Sequence, residues 1–302
     1  MIDGLLVVDK PAGWTSHDVV AKLRGATRQR RIGHAGTLDP DATGVLLVGL
    51  GRVTQLLRFL QETTKAYRGV VAFGVATSTL DAAGEELARV EMPVGEAEVR
   101  TAMEAFVGDI EQVPPMVSAL KVDGRRLHEL AREGKEVERA PRPVRIGRYE
   151  LEAFVPGAFP RATVLVECSS GTYVRSLAAD LGTALGGHAH LSALRRLRVG
   201  AFTLDDATPL DELVEDAATR VLTPAEALRG MERLVVSDAV AAVIATGRVF
   251  PAAEPPVAPV GAGPYAMVDG AGRLLAVYER RDERLKPSVV LNVDGGTGAG
   301  GD

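Results

Sequence analysis

Arg31-Ile32-Gly33-His34-Ala35-Gly36-Thr37-Leu38-Asp39-Pro40-Asp41-Ala42-Thr43-Gly44 is the stretch around which the 302-residue chain is organised. Three glycines and one proline in so short a run specify a shaped loop, because Gly supplies φ > 0 and close backbone approach while Pro fixes φ. The run lies between the basic residues Arg24, Arg28, Arg30 and Arg31 and the aliphatic Val45-Leu46-Leu47-Val48, which reads as a buried strand. Asp39 precedes Pro40, which restricts its backbone too, so its carboxylate can be aimed at a ligand. An Asp-Pro turn closing a hairpin is the local alternative, since Asp, Pro and Gly dominate turns for purely local reasons. Spacing alone does not separate the two.

Composition narrows the class. At 302 residues, 46% hydrophobic and 25% charged, the chain can bury one large core and a smaller one. No apolar run approaches the ~18 residues a membrane span needs. Met1-Ile2-Asp3-Gly4-Leu5 has no basic n-region, so no signal peptide is read there. The single cysteine, Cys168, excludes an intrachain disulfide and a thiolate zinc cluster, and a cytoplasmic address is expected. The net charge of -5 conceals an uneven distribution. Residues 1–60 carry eight Lys/Arg against five Asp/Glu and residues 121–148 nine against five, whereas residues 201–302 carry nine against sixteen. Two basic blocks in the first half are compatible with a polyanion-facing surface.

Outward from the central loop, Gly4-Leu5-Leu6-Val7-Val8 predicts a buried strand. Thr15-Ser16-His17-Asp18 gives a capping-box spacing for a helix carrying Val19, Val20 and Leu23. Residues 65–73 predict a strand with Tyr67, Gly69, Val71 and Phe73 on one face. Residues 96–107 predict an amphipathic helix whose Val99, Met103 and Phe106 form a core stripe. Residues 112–148 read as a basic insertion, a loop and short helix bounded by prolines, with strands resuming at 149–155 and 162–168. After Gly171-Thr172-Tyr173-Val174-Arg175 a helix carries Leu177, Leu181 and Leu185, ending at Gly186-Gly187-His188-Ala189-His190, with a further strand near 199–204. A Pro/Ala/Gly/Val-rich connector at 251–264 precedes an Asp-Gly hairpin signature at 266–278, and 295–302 reads as a flexible tail.

Gly33 through Gly44 resembles the G-H-x-G-x-L-D-P-x-A-T-G catalytic motif of the TruB family of tRNA pseudouridine synthases. Further segments agree in order: Gly4 through Pro11 resembles the N-terminal motif that supports the catalytic loop, and Lys65-Ala66-Tyr67 resembles K-x-Y. Ser118-Ala119-Leu120-Lys121-Val122 resembles the RNA-clamping insertion, and Gly171 through Arg175 resembles G-T-Y-[IV]-R. His190 to Arg196 resembles the next binding segment, and the similarity spans residues 1 to about 230. One departure is Ser78, where many relatives carry an acidic residue; the short, acidic C-terminal segment is another.

The resemblance implies an α/β (α+β) pseudouridine synthase fold with a curved mixed, mostly antiparallel sheet over residues 1–230, and a small β-rich PUA-like unit over 231–302. It implies an isomerase that converts uridine 55 in the T loop of tRNA to pseudouridine without metal or cofactor. Asp39, Tyr67 and Arg175 are then the catalytic candidates, Arg175 as ion-pair partner of Asp39 and Tyr67 as stacking group or general base. His34, Tyr173, Leu194, Tyr67 and Lys10 are candidate substrate contacts around a flipped base. Arg30, Arg31, Lys121, Arg125, Arg126 and Arg132 are candidate contacts to the RNA backbone. The expected partner is the T-arm stem-loop, with no guide RNA and no membrane, and a monomer is the expected state. Three alternatives stay open at this level: an RNA-binding or RNA-folding protein, a guide-dependent synthase, and a hydrolase pairing Asp39 with Asp41. The last is disfavoured, because Pro40 between the two carboxylates turns them apart.

Overall fold

The computed structural model describes residues 2–118, 137–252, 259 and 261–291, together with the backbone of 121–122 and 125–126. Its main body is a ten-stranded mixed sheet. In chain order the main strands are β1 Gly4–Lys10, β2 Ile32–Ala35, β3 Thr43–Leu50, β4 Lys65–Phe73 and, beyond a β5/β6 hairpin (Val75–Thr77, Glu86–Arg89), β7 Gly108–Gln112. After a two-stranded hairpin of β8 Lys121–Val122 and β9 Arg125–Arg126 come β10 Arg142–Val155, β11 Arg161–Cys168 and β12 Ala189–Val199. Short β13 Phe202–Thr203 and β14 Thr208–Pro209 complete it, in the order β14-β1-β3-β12-β4-β11-β10-β7 with β2 on β3 and β13 on β12. Among the described residues of this sheet, β1–β14 and β3–β12 pair in parallel and the other pairs are antiparallel.

The aliphatic runs in β1 and β3 follow from burial on both faces. Leu6, Val8, Leu46 and Val48 join one core formed with helix α1 (Ser16–Thr27) and Leu210 and Leu213, whereas Leu5, Val7, Val45 and Leu47 join another with helix α2 (Leu57–Gln61). Strand β11 alternates instead, because one face packs under helices α3 (Glu96–Glu104) and α4 (Val174–Ala184). Thr15 caps α1 as the spacing predicts, accepting from Asp18 N–H at 3.0 Å while Asp18 accepts from Thr15 N–H at 2.9 Å.

The C-terminal sheet has five strands: β15 Glu232–Val235, β16 Phe250–Pro251, β17 Tyr265–Val268, β18 Leu274–Arg281 and β19 Arg284–Val290. Its Ala266, Val268 and Val277 share a core with Leu5, Val45 and Leu47, so the small β-rich unit packs directly on the main sheet. Among the described residues no helix is long and apolar enough to cross a membrane.

Three expectations need correction. Ile32–Ala35 is a strand paired with β3, so the shaped loop is confined to residues 36–42. Arg142, Arg145 and Arg148 belong to β10, paired with β7 from Arg142↔Gln112, so the insertion spans 113–141 rather than 112–148. The helix stops at Ala184, before Gly186-Gly187 as expected, but strand β12 runs from Ala189 through Val199 rather than beginning near 199, because pairing with β4 draws the basic run into the sheet. The short helix expected within the insertion falls on residues outside those described, as does the 295–302 tail.

Candidate active site

Residues 36–39 of the loop line a cleft of about 520 Å³ that opens between β2, β4, β12 and the start of α4. Every carbonyl from Gly36 to Pro40 is engaged. Arg196 donates to Gly36 O at 3.2 Å and to Thr37 O at 3.5 Å. Ser16 Oγ donates to Leu38 O and accepts from Leu38 N–H at 2.9 Å. Asp39 O accepts from Ala42 N–H, and Pro40 O accepts from Gly13 N–H and from Lys10 Nζ at 2.8 Å. A loop with these carbonyls committed holds the intervening side chain in place.

That side chain is Asp39. Arg175 Nε lies 3.0 Å from Asp39 Oδ2 and Arg175 Nη2 lies 3.2 Å from Oδ1, a two-point grip. Arg175 is 6% exposed, whereas Asp39 keeps 41% of its side-chain exposure, directed onto the cleft. Arg175 also reaches Asp81 Oδ2 at 3.3 Å, Thr79 O at 3.1 Å and Val117 O at 2.9 Å. Burial lifts Asp39 above the ordinary carboxylate range; Arg175 opposes that shift and Asp81 adds to it.

His34, Tyr67, Tyr173 and Leu194 line the same cleft as Asp39 and Arg175. Tyr67 projects from β4 and is 7% exposed. Burial pushes its phenol up, against the pull of the Arg196 guanidinium beside it, so it is protonated at neutral pH. Burial, reinforced by His17 and Arg196, pulls His34 down to about 4, leaving the imidazole neutral. Its ring stands edge-on to His17 with centroids 5.2 Å apart, and Nδ1 has no hydrogen-bond partner.

Lys10 is absent from the cleft. It is 0% exposed, and its ammonium donates to Pro11 O, Trp14 O and Pro40 O at 2.9, 2.6 and 2.8 Å, behind the loop. The expectation of a substrate contact there gives way to loop support. Arg30 and Arg31 are exposed beside β2, Arg31 Nε donating to Thr54 Oγ1 at 3.0 Å. Lys121, Arg125 and Arg126 have only their backbone described, as a hairpin, and Arg132 lies outside the described residues. Among the described residues no group of His, Cys, Asp and Glu is placed to hold a metal ion.

Three residues in or beside the cleft have roles that the sequence analysis does not assign. Asp81 sits in the turn where only Ser78 attracts notice, yet its carboxylate meets Arg175. Arg196, hidden in a basic run, is 1% exposed and bonds Val45 O at 2.6 Å as well as the loop carbonyls. Lys65 reaches Gln61 O and Thr63 O at 2.7 and 2.9 Å, and burial pulls it down to about 8. The K-x-Y resemblance marks Lys65 in sequence, on the same strand face as Tyr67, but not its contacts.

Residues 24–174 match the model of the TruB family pseudouridylate synthase N-terminal domain, and residues 175–235 that of the tRNA pseudouridylate synthase B C-terminal domain. The chain is 46% identical to tRNA pseudouridine synthase B of Rhodococcus jostii, covering 95% of this chain and 93% of that one. With the protein of the same name from Corynebacterium aurimucosum the identity is 49%, covering 93% and 94%. Among solved structures, a Cbf5-Nop10-Gar1 complex aligns with a TM-score of 0.72 at 26% identity, covering 91% of this chain and 78% of that one. The archaeal box H/ACA sRNP Nop10-Cbf5 complex aligns with a TM-score of 0.69 at 23% identity, covering 95% and 85%, a likeness of fold. The chain belongs to the TruB family of pseudouridylate synthases.

Proposed function

We propose that this isomerase acts on tRNA, converting uridine 55 of the T loop to pseudouridine without a guide RNA, with residues 1–230 as catalytic unit, 231–302 as PUA-like accessory and the insertion as clamp on the T arm. The observation that carries the reading is the Asp39 carboxylate, gripped at two points by a buried Arg175 yet open to the cleft.

The reaction breaks the N1–C1′ bond and joins C1′ to C5; the C5 proton is lost and N1 gains one. Asp39, ionised and oriented by Arg175, serves as the group that attacks or assists departure at the sugar. Arg175 is nearly buried and also pairs with Asp81, so loss of Asp39 leaves it one carboxylate, whereas loss of Arg175 leaves the Asp39 and Asp81 charges opposed without their shared cation. Tyr67 packs against the base as a neutral phenol. Acting as general base would require a phenolate that burial disfavours, and Arg196 is the group beside it that offsets this cost. The target must leave its stack, at a cost of a few kcal/mol that aromatic contacts of ~1–3 kcal/mol each can offset. The neutral His34 ring suits the space a flipped base vacates, while Tyr173 and Leu194 wall the uracil. A cytoplasmic monomer fits this work.

The fold likeness to Cbf5 complexes favours one second reading, a guide-dependent synthase. An unmodified tRNA transcript incubated with the protein alone separates the two. Pseudouridine at position 55 supports the proposal; none without added guide RNA overturns it.

A further inference from the structure

Gln112 ends β7, where the chain leaves the sheet for the insertion, and is 2% exposed. Its carboxamide reads both backbone groups of one residue 61 positions away: Tyr173 N–H donates to Oε1 at 2.7 Å, and Nε2 donates to Tyr173 O at 3.0 Å. Tyr173 is the N-cap of α4, with φ −102° and no side-chain cap bond of its own. Ser, Thr, Asp or Asn is the usual residue there, because its side chain satisfies an orphan N–H. An aromatic ring facing the cleft occupies the position instead, and Tyr173 N–H lies outside the ladders of helix and sheet. A buried N–H needs a partner. One primary amide, donor and acceptor in a plane, supplies it and engages the carbonyl as well. Two further bonds join the same segments: Ser176 Oγ donates to Val113 O at 3.0 Å and Arg175 Nη2 to Val117 O at 2.9 Å. Gln112 itself does not line the cleft.

We propose that Gln112 is a positioning residue for the isomerisation: it fixes the Tyr173 main chain and, through the first turn of α4, sets Arg175 against Asp39. This rests on the proposed roles of Tyr173 and Arg175 in the reaction. It ties the root of the insertion to the two groups that wall and orient the reacting centre.

The test uses the full chain with a tRNA transcript. It compares kcat, KM and the pH profile of wild type, Gln112→Leu and Gln112→Glu, with rates expressed per folded molecule from circular dichroism. Gln112→Leu removes both bonds; Gln112→Glu keeps the acceptor but turns an oxygen toward Tyr173 O. The expected result is a kcat lower by about 10- to 100-fold in Gln112→Leu with KM within about threefold. The acid limb of kcat moves to higher pH as Arg175 loses its grip on Asp39, and Gln112→Glu falls between the two. If Gln112→Leu does not fold, Gln112→Glu carries the same reading. An unchanged kcat per folded molecule with an unmoved acid limb overturns the proposal. A wild type inactive on tRNA overturns the proposed function, and this inference with it.

Discussion

Alanine at Gly44 strikes the joint between the two halves of the main sheet. Strands β3 and β12 meet through only two paired positions, Thr43↔Arg195 and Gly44↔Arg196. Gly44 has φ +101°, and a Cβ there falls 2.2 Å from Arg196 O and 2.9 Å from Arg196 N and C. The obstructing atoms are backbone, so no rotamer change relieves them. The dihedral strain costs about 1–3 kcal/mol. Opening the β3–β12 pairing to remove the overlap leaves a buried backbone group unsatisfied, at about 1–3 kcal/mol more. The total, about 2–6 kcal/mol, is a large share of a domain stability of roughly 5–15 kcal/mol. Gly13 supplies the control: its φ is +79°, with nothing within 4 Å of the methyl that alanine would add, so Gly13→Ala carries strain alone, about 1–2 kcal/mol. Urea unfolding followed by circular dichroism reads both. Because the Arg196 guanidinium also holds Gly36 O, kcat of any folded Gly44→Ala protein should fall as well. Equal stability losses at the two positions would disprove a backbone clash at Gly44.

Three further outcomes are expected. Because Asp39 sits above the ordinary carboxylate range, kcat should begin to fall at a higher pH than a free aspartate would give, as the carboxylate takes up its proton. The folded form binds that proton more readily than the unfolded chain, so this group's contribution to stability grows as pH falls through the raised value; pH–rate profiles and pH-dependent unfolding check both signs. Lys10→Met removes an ammonium that burial already penalises, pulling it down to about 8, so stability changes by less than about 2 kcal/mol while Pro40 O, left with Gly13 N–H as its donor, loosens the loop. A kcat within about twofold of wild type would contradict that. Neutralising Arg125, Arg126 and Arg132 together should weaken tRNA binding and lower the slope of log K against log salt by about 0.7–0.9 per lost phosphate contact; an unchanged slope removes the clamp assignment.

Local chemistry makes much of this legible. The capping box, the aliphatic strands and the shaped loop are written in short-range patterns, and the structure realises each within a few residues. The tertiary use of a charge is not written there. Lys10, Arg196 and Asp81 look like surface residues in sequence, yet the first two are buried and spend their donors on carbonyls that only the folded chain brings near. Arg142, Arg145 and Arg148 look like part of a basic loop, although exposed Arg145 between buried Val144 and Ile146 is the alternation of a strand with one wet face. The break after α4 is legible in the glycine pair, but the start of β12 is not: Ala189 and His190 are held in the strand by Phe73 and Ala72 of β4.

The chemistry turns on Asp39, and its most direct measurement is tritium release from C5-labelled uridine in tRNA by wild type and Asp39→Asn, with tRNA affinity measured in parallel. The predicted result is release by wild type alone, with affinities within about threefold, since Arg175 keeps Asp81 as a partner in the variant. Release by Asp39→Asn at more than a few per cent of the wild-type rate would remove Asp39 as the essential group.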